Sequence, residues 1–282
     1  MTAMHDFIRE RLCFYSPVLK GQRSSWDILH AAARHGVAGV ELMNFADELR
    51  TPDRKIAAEL GAYARQNGLR LPCFSCAVDF STDTKQKLDY IKGYADICAD
   101  LEIPYLHHTL VLPLHRSKLV AAPEALLPIA VECALEIQAY AAGRGVKTLV
   151  EEQGLVVNGI AAYNAFRAQT EGKIGLLFDA GNILFVDERP EDFCKAIGRE
   201  VRHVHLKDYK LTSTPLPPKS YETAGGQYLT ECEPGEGTID HATLSQALKA
   251  AGYRGDLSLE FAPAPDDETL AMRLRRIAAV YA

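Results

Sequence analysis

Positive charge is in short supply in this chain: 31 Lys and Arg stand against 37 Asp and Glu, a formal net charge of −6. That balance argues against the basic footprint that nucleic acid or an anionic membrane surface recruits. Long apolar runs are missing too, none reaching the roughly 18 residues that a membrane helix needs. Met1 to Arg11 carries Asp6, Arg9, Glu10 and Arg11 and no apolar stretch of signal-peptide length, so a cytoplasmic location is expected. The seven cysteines are odd in number and scattered, which fits a reducing compartment better than a disulfide framework. Cys73 and Cys76 match a C-x-x-C spacing, but in an extended segment residues three apart face opposite sides, against a redox or zinc role. No glycine-rich phosphate turn follows the first apolar run, and no linker, repeat or low-complexity stretch divides the chain.

What is present is a regular alternation of short apolar runs and longer amphipathic ones. The short runs read as strands at Leu12–Tyr15, Val37–Leu42, Leu71–Ala77, Tyr105–His108, Val146–Glu151, Ile174–Asp179, Val201–Leu206 and Leu257–Glu260. Helical spacing fills the intervals. Ser24 or Ser25 can cap a helix that stops at Gly36, and Asp53–Gln66, Asp83–Asp100 and Pro123–Gly143 follow. Ile160–Gln169, Glu191–Ile197, a helix capped by Asp240, and Glu268–Tyr281 complete the series. Lys210–Gly237 is rich in Pro, Gly and Thr without periodicity, and is long enough to suggest a functional loop or lid. Eight strand–helix pairs in 282 residues predict an α/β fold, a closed (β/α)8 barrel in one domain over residues 1–282.

Catalytic groups of such barrels gather at the C-terminal ends of the strands. Strands five to eight end on Glu151, Asp179, His205 and Glu260, each after an apolar body. One such residue means little, and Asp179 alone could simply cap a helix. Four on consecutive strands must converge, and three carboxylates at one point repel unless a cation neutralises them. An oxygen-rich set with one imidazole suits Mn²⁺, Mg²⁺ or Co²⁺, with Zn²⁺ as a further option. In Val201–Asp208, His203 and His205 share one face of the strand, while Val204 and Leu206 share the other. Glu41, pointing into a barrel, needs a polar partner: it could brace a ligand or bind a substrate hydroxyl. His107 and His108 end strand four on opposite faces, and His108 is taken as the one facing the pocket. Glu152, next to Glu151, points the other way.

The chain resembles the xylose-isomerase-like TIM-barrel family of sugar and sugar-phosphate isomerases and epimerases. The likeness rests on Leu149-Val150-Glu151-Glu152-Gln153-Gly154, Phe178-Asp179-Ala180-Gly181-Asn182 and His203-Val204-His205-Leu206-Lys207-Asp208. Pro234-Gly235-Glu236-Gly237-Thr238-Ile239-Asp240, Ser258-Leu259-Glu260 and Gly36–Leu42 add to it, in the family's order along essentially the whole chain. The resemblance implies that Glu151, Asp179, His205 and Glu260 ligate one divalent ion, with Glu151 and Glu260 as the acid–base pair. It implies proton abstraction next to a metal-bound sugar carbonyl, through an enediolate. Lys207, Asp208, His108 and Glu41 are the expected substrate contacts, and His203 and Asn182 the expected supports of the ligands. Ketohexose 3-epimerases differ at three positions, where this chain has Val157, Asn182 and Leu211, so a different substrate recognition is implied. A keto-polyol dehydratase or 3-keto-glycoside lyase would need the same metal site. An apurinic-endonuclease-like phosphodiesterase is remote, since strand three offers no histidine and the chain is acidic. The expected partner is a small sugar or keto-polyol, with no nucleic acid or membrane; assembly into a homo-oligomer is left open.

Overall fold

A computed structural model describes residues 2–113 and 118–282. The elements run α1 (Thr2–Arg11), β1 (Leu12–Phe14), α2 (Ser25–His35), β2 (Gly39–Val40), β3 (Leu42–Met43), α3 (Arg54–Gln66), β4 (Cys73–Cys76) and α4 (Thr84–Asp100). They continue β5 (Tyr105–His108), α5 (Pro123–Ala142), β6 (Lys147–Glu151), α6 (Ile160–Gln169), β7 (Gly175–Asp179), α7 (Pro190–Ile197) and β8 (Val201–Leu206). After β8 come β9 (Tyr209–Thr212), β10 (Tyr221–Glu222), β11 (Tyr228–Glu231), α8 (His241–Ala250), β12 (Leu257–Leu259) and α9 (Asp267–Tyr281).

The parallel sheet has the order β2-β1-β12-β8-β7-β6-β5-β4-β3. Its two ends, β2 and β3, are halves of one strand interrupted at Glu41, so the ring is nearly closed and its one break carries that residue. This is the α/β barrel expected from the alternating pattern. Local chemistry sets the helix bounds. Ser24 accepts from the Asp27 amide while Asp27 accepts from the Ser24 amide, and Gly36 ends α2 in the left-handed conformation at φ 62°. The buried face of α2, with Ile28, Leu29, Ala31 and Ala32, is spaced to press on the sheet.

One expected helix is unusually apolar, and one segment departs from the sequence reading. The 20-residue α5 has the length and apolarity of a membrane span, although no uninterrupted apolar run is that long. It packs on α4 and β6 as a barrel helix. The aperiodic segment after β8 is partly ordered: β9, β10 and β11 form a small antiparallel sheet in the order β10-β11-β9, with Leu211 opposite Leu229.

Inside the ring, side chains fill from the bottom upward. Cys73, Leu149 and Leu177 form a buried apolar cluster with Tyr105 packed against it. Cys76 belongs instead to the main core between sheet and helices, and all seven cysteines are free. One inward position further along their strands, the same strands carry Ser75, His107, Glu151 and Asp179, so polarity begins where the apolar filling stops.

Candidate metal centre

A hydrogen-bonded layer lies directly above that filling. The break in the second strand turns Glu41 inward, fully buried. Its Oε2 meets His203 Nε2 at 2.8 Å, and both of its oxygens lie 3.0 Å from His205 Nε2. Ser75 Oγ donates to Glu41 Oε1 and contacts His107 Nδ1 at 2.8 Å. Ser258 Oγ lies 2.9 Å from His203 Nε2. Burial would raise the Glu41 pKa, but the imidazoles of His205 and His203 outweigh it and hold the group well below the usual carboxylate range.

Above this layer, Glu151, Asp179, His205 and Glu260 each present a ligand-type atom, and these atoms lie within 4.8 Å of one another. His205 turns Nδ1 toward the mouth, 3.1 Å from Glu260 Oε2 and 3.9 Å from Asp179 Oδ2. Its other nitrogen is held by Glu41, the arrangement that fixes the tautomer and direction of a metal-binding histidine. Tyr15 covers the imidazole, its ring stacked at 4.3 Å. Asp179 uses Oδ1 to accept from the Gly181 and Asn182 amides at 2.8 and 2.9 Å, leaving Oδ2 directed at the shared point. Glu151 Oε1 accepts from the Asn182 side chain, and its Oε2 lies 3.3 Å from His107 Nε2. Glu260, at the end of β12, is the most open of the four, with 30% of its side chain exposed.

The donor set fits a divalent ion. Asp179 Oδ2 and His205 Nδ1 are buried and aim at the same place, meeting ion-pair partners there (Lys207 Nζ at 2.9 Å and Glu260 Oε2 at 3.1 Å) without hydrogen-bond geometry. Three carboxylates and a buried imidazole nitrogen brought to one point need a cation among them, and here the Lys207 ammonium stands beside two of the carboxylates. Electrostatics agree. Burial and the neighbouring Glu260 push Glu151 up to about 7. Burial likewise raises Asp179 to about 7, against the pull of Lys207. Burial would raise Glu260 as well, but Lys207 and His205 outweigh it and hold it at about 2.

Three expected substrate contacts and one expected support are placed differently from the sequence reading. His107, not His108, faces the interior: Ser75 pairs with His107 in the β4–β5 register, and both point inward. His108 is fully buried on the helix side, edge-on to Phe80, with Nδ1 at 3.1 Å from the Thr109 carbonyl. Asp208 is also buried and has no room for a substrate: it accepts from the amides of Tyr209, Gly235, Gly237 and Ile239 at 2.9 to 3.4 Å. A Cβ at Gly237 would sit 2.0 Å from Asp208 Oδ1, so only glycine lets that turn close on the carboxylate. Glu41 braces imidazoles and touches no solvent, which removes it from the substrate contacts. His203 supports Glu41 rather than one of the three converging carboxylates. Lys207 does reach the mouth, with Nζ 2.9 Å from Asp179 Oδ2 and 3.0 Å from Glu260 Oε1. Asn182 lies against Glu151, and Glu152 faces away, accepting from the Asp179 amide at 2.7 Å. Ser75 and Ser258 escape the sequence reading, which sets His107 aside in favour of its neighbour; pairing inward positions of adjacent strands by register is the signal that finds them.

Fold and site together define an α/β barrel with a carboxylate–imidazole cluster of metal-binding type at its mouth. The chain belongs to the xylose isomerase-like TIM barrel family, whose model matches residues 29–277. Among curated proteins it is similar to an inosose dehydratase of Clostridium botulinum (strain Eklund 17B / Type B), 30% identical over 92 residues, 32% of this chain and 31% of that one. The inosose dehydratase of Erwinia tasmaniensis is 26% identical over 131 residues, 44% of each chain. The matches thus span about a third to under a half of those proteins. Among solved structures, D-psicose 3-epimerase from Clostridium cellulolyticum H10 superposes with a TM-score of 0.75 at 14% identity, covering 96% of this chain and 99% of that one. The IOLI protein with a bound zinc atom gives 0.72 at 18% identity, covering 96% of each chain. A family member from Mycobacterium smegmatis in complex with magnesium gives 0.68 at 15%, covering 99% and 96%. At these identities the structures speak for the fold alone.

Proposed function

We propose that this protein is a divalent-metal-dependent sugar isomerase or epimerase, which removes the proton next to the carbonyl of a keto sugar and returns it. The observation that carries the reading is the convergence of Glu151, Asp179, His205 and Glu260, their ligand-type atoms within 4.8 Å of one another, with Glu151 sealed in the ring and Glu260 partly open at the mouth. Two carboxyls in such unlike surroundings, Glu151 raised by burial and Glu260 held low by Lys207 and His205 while the lysine is in place, are suited to divide into a proton donor and a proton acceptor. A dication held by Glu151, Asp179, His205 and Glu260 would supply positive charge to polarise a bound carbonyl and make the neighbouring C–H acidic. Glu260, ionised and at the open side, takes that proton, and the substrate becomes an enediolate. Glu151, deeper in the ring and oriented by Asn182, gives a proton back. Return to the same carbon from the other face is epimerisation; return to the adjacent carbon is aldose–ketose isomerisation. Glu41 keeps His205 aimed, and Tyr15 shields the imidazole from water.

A second reading, dehydration of a keto-polyol, is favoured by the similarity to inosose dehydratases. It uses the same first step. Glu151 then delivers its proton to the departing hydroxyl, which leaves as water.

Nuclear magnetic resonance in D₂O on the Mn²⁺- or Mg²⁺-treated protein with a panel of ketoses and inososes tests both readings. Deuterium entering the carbon beside the carbonyl of a ketose, with a rearranged sugar as product, supports the first; loss of water from an inosose supports the second. Glu260→Gln should slow either by about 10²- to 10⁴-fold, the usual worth of a positioned proton acceptor. Exchange in no substrate, or a Glu260→Gln variant as active as the parent, would overturn the enolisation mechanism.

A further inference from the structure

We propose that Lys207 and the divalent ion are alternative occupants of the same two carboxylates, so that Lys207 must withdraw from the cluster for the ion to bind. The inference rests on the metal reading above and concerns what this chain's own lysine does within it. Lys207 Nζ lies 2.9 Å from Asp179 Oδ2 and 3.0 Å from Glu260 Oε1. Asp179 Oδ2 is the oxygen the ion would need, and Glu260 Oε1 is one of the two that residue can offer. Asp179 Oδ1 is committed to the Gly181 and Asn182 amides, and Glu260 Oε2 faces His205 Nδ1 at 3.1 Å. An ammonium and a dication that share one carboxylate oxygen in a buried site repel at that range, so each weakens the hold of the other.

The position of Lys207 is built into the chain. The residue is buried, and its stem threads a slot that exists because residue 181 is glycine. A Cβ at Gly181 would lie 2.5 Å from Lys207 Cγ, 2.6 Å from Cδ and 2.6 Å from Tyr209 Cε2. The ammonium is therefore steered onto Asp179 and Glu260 from below. The four-carbon stem has the rotors through which the ammonium could be redirected. Because β8 ends at the mouth, the withdrawn ammonium stays beside the place where a substrate oxygen would sit. Lys207 thus serves two states: it neutralises the carboxylates before the ion arrives, and it is a positioning cation for substrate afterwards.

Two measurements on the full chain test this, neither depending on turnover. First, Mn²⁺ is titrated calorimetrically into chelator-stripped wild type and Lys207→Met. The variant should bind at least about tenfold more tightly, the lower end of what one close buried charge pair contributes. Equal or weaker binding by a folded variant overturns the inference while leaving the metal reading intact. Binding by neither protein overturns the metal reading and the inference with it; binding by Lys207→Met alone is the inference in its strongest form. Second, reductive dimethylation of wild type is followed at Lys207 by peptide mass spectrometry, with and without Mn²⁺. Lys207 should be protected in stripped protein and labelled several-fold faster with the ion present. Identical labelling in the two states overturns the proposal without any variant that has to fold.

Discussion

A carboxylate sealed inside a protein without partners costs far more than a hydrogen bond returns, and Glu41 meets that cost with three partners. His203, His205 and Ser75 all close on it, which places a negative charge beneath the imidazole that faces the mouth. Replacing Glu41 by Gln removes the charge and leaves one acceptor where two imidazoles compete. Mn²⁺ affinity should then drop by about 10- to 100-fold, as for other residues that orient a metal-binding histidine. Calorimetric titration of the stripped variant checks this; unchanged affinity would mean that His205 needs no brace. The four converging side chains were legible in the sequence because each ends an apolar run, a context in which a charged residue has little other use. His107 and His108 were not. Tyr105-Leu106-His107-His108 offers no alternation that sets its phase, and only the register Ser75–His107 across β4 and β5 decides which imidazole points inward.

At the scale of elements, the eight strand–helix pairs could be read because their periodicities are long and their caps are local, as with Ser24, Asp27 and Gly36 around α2. The connection after β8 could not. Its strands are two to four residues long and stabilise one another only through pairing, as Tyr228 does with Thr212 and Leu229 with Leu211. Asp208, which reads as a substrate group from its place after Lys207, is instead the anchor of this connection. Its two oxygens gather the amides of Gly235, Gly237 and Ile239, so the turn returning to α8 hangs from one carboxylate. Hydrogen bonds to a charged acceptor are worth about 1.5–3 kcal/mol each, so removing it should free the turn locally. In Asp208→Ala, the amides of Gly235 and Gly237 should exchange with deuterium at least about tenfold faster, while those of β6 and β7 keep their protection. Hydrogen-exchange mass spectrometry separates the peptides. Loss of protection throughout the barrel would show that Asp208 holds the fold rather than the turn.

For the whole molecule, concentrating carboxylates at one end of a barrel trades stability for chemistry, and the trade has a direction in pH. Glu152 is outside the cluster of ligand atoms yet fully buried, with Oε1 on the Asp179 amide and Oε2 lacking a hydrogen-bond partner among the described residues. Burial first, then the carboxylates of Asp179 and Glu151, hold its pKa well above the ordinary 4.5. An unfolded chain gives up this proton near 4.5, whereas the native protein keeps it until the higher native value is passed. Between those two points the native state binds more protons than the unfolded state, so stability falls as pH rises. Glutamine has the shape of the protonated acid and no proton to lose. Glu152→Gln should therefore match the wild type in chelator-stripped protein below about pH 4.5 and become the more stable of the two as pH climbs toward 8. Urea denaturation at a series of pH values measures the difference. A gap between the two proteins that stays constant across the series would mean that Glu152 is already ionised in the native barrel.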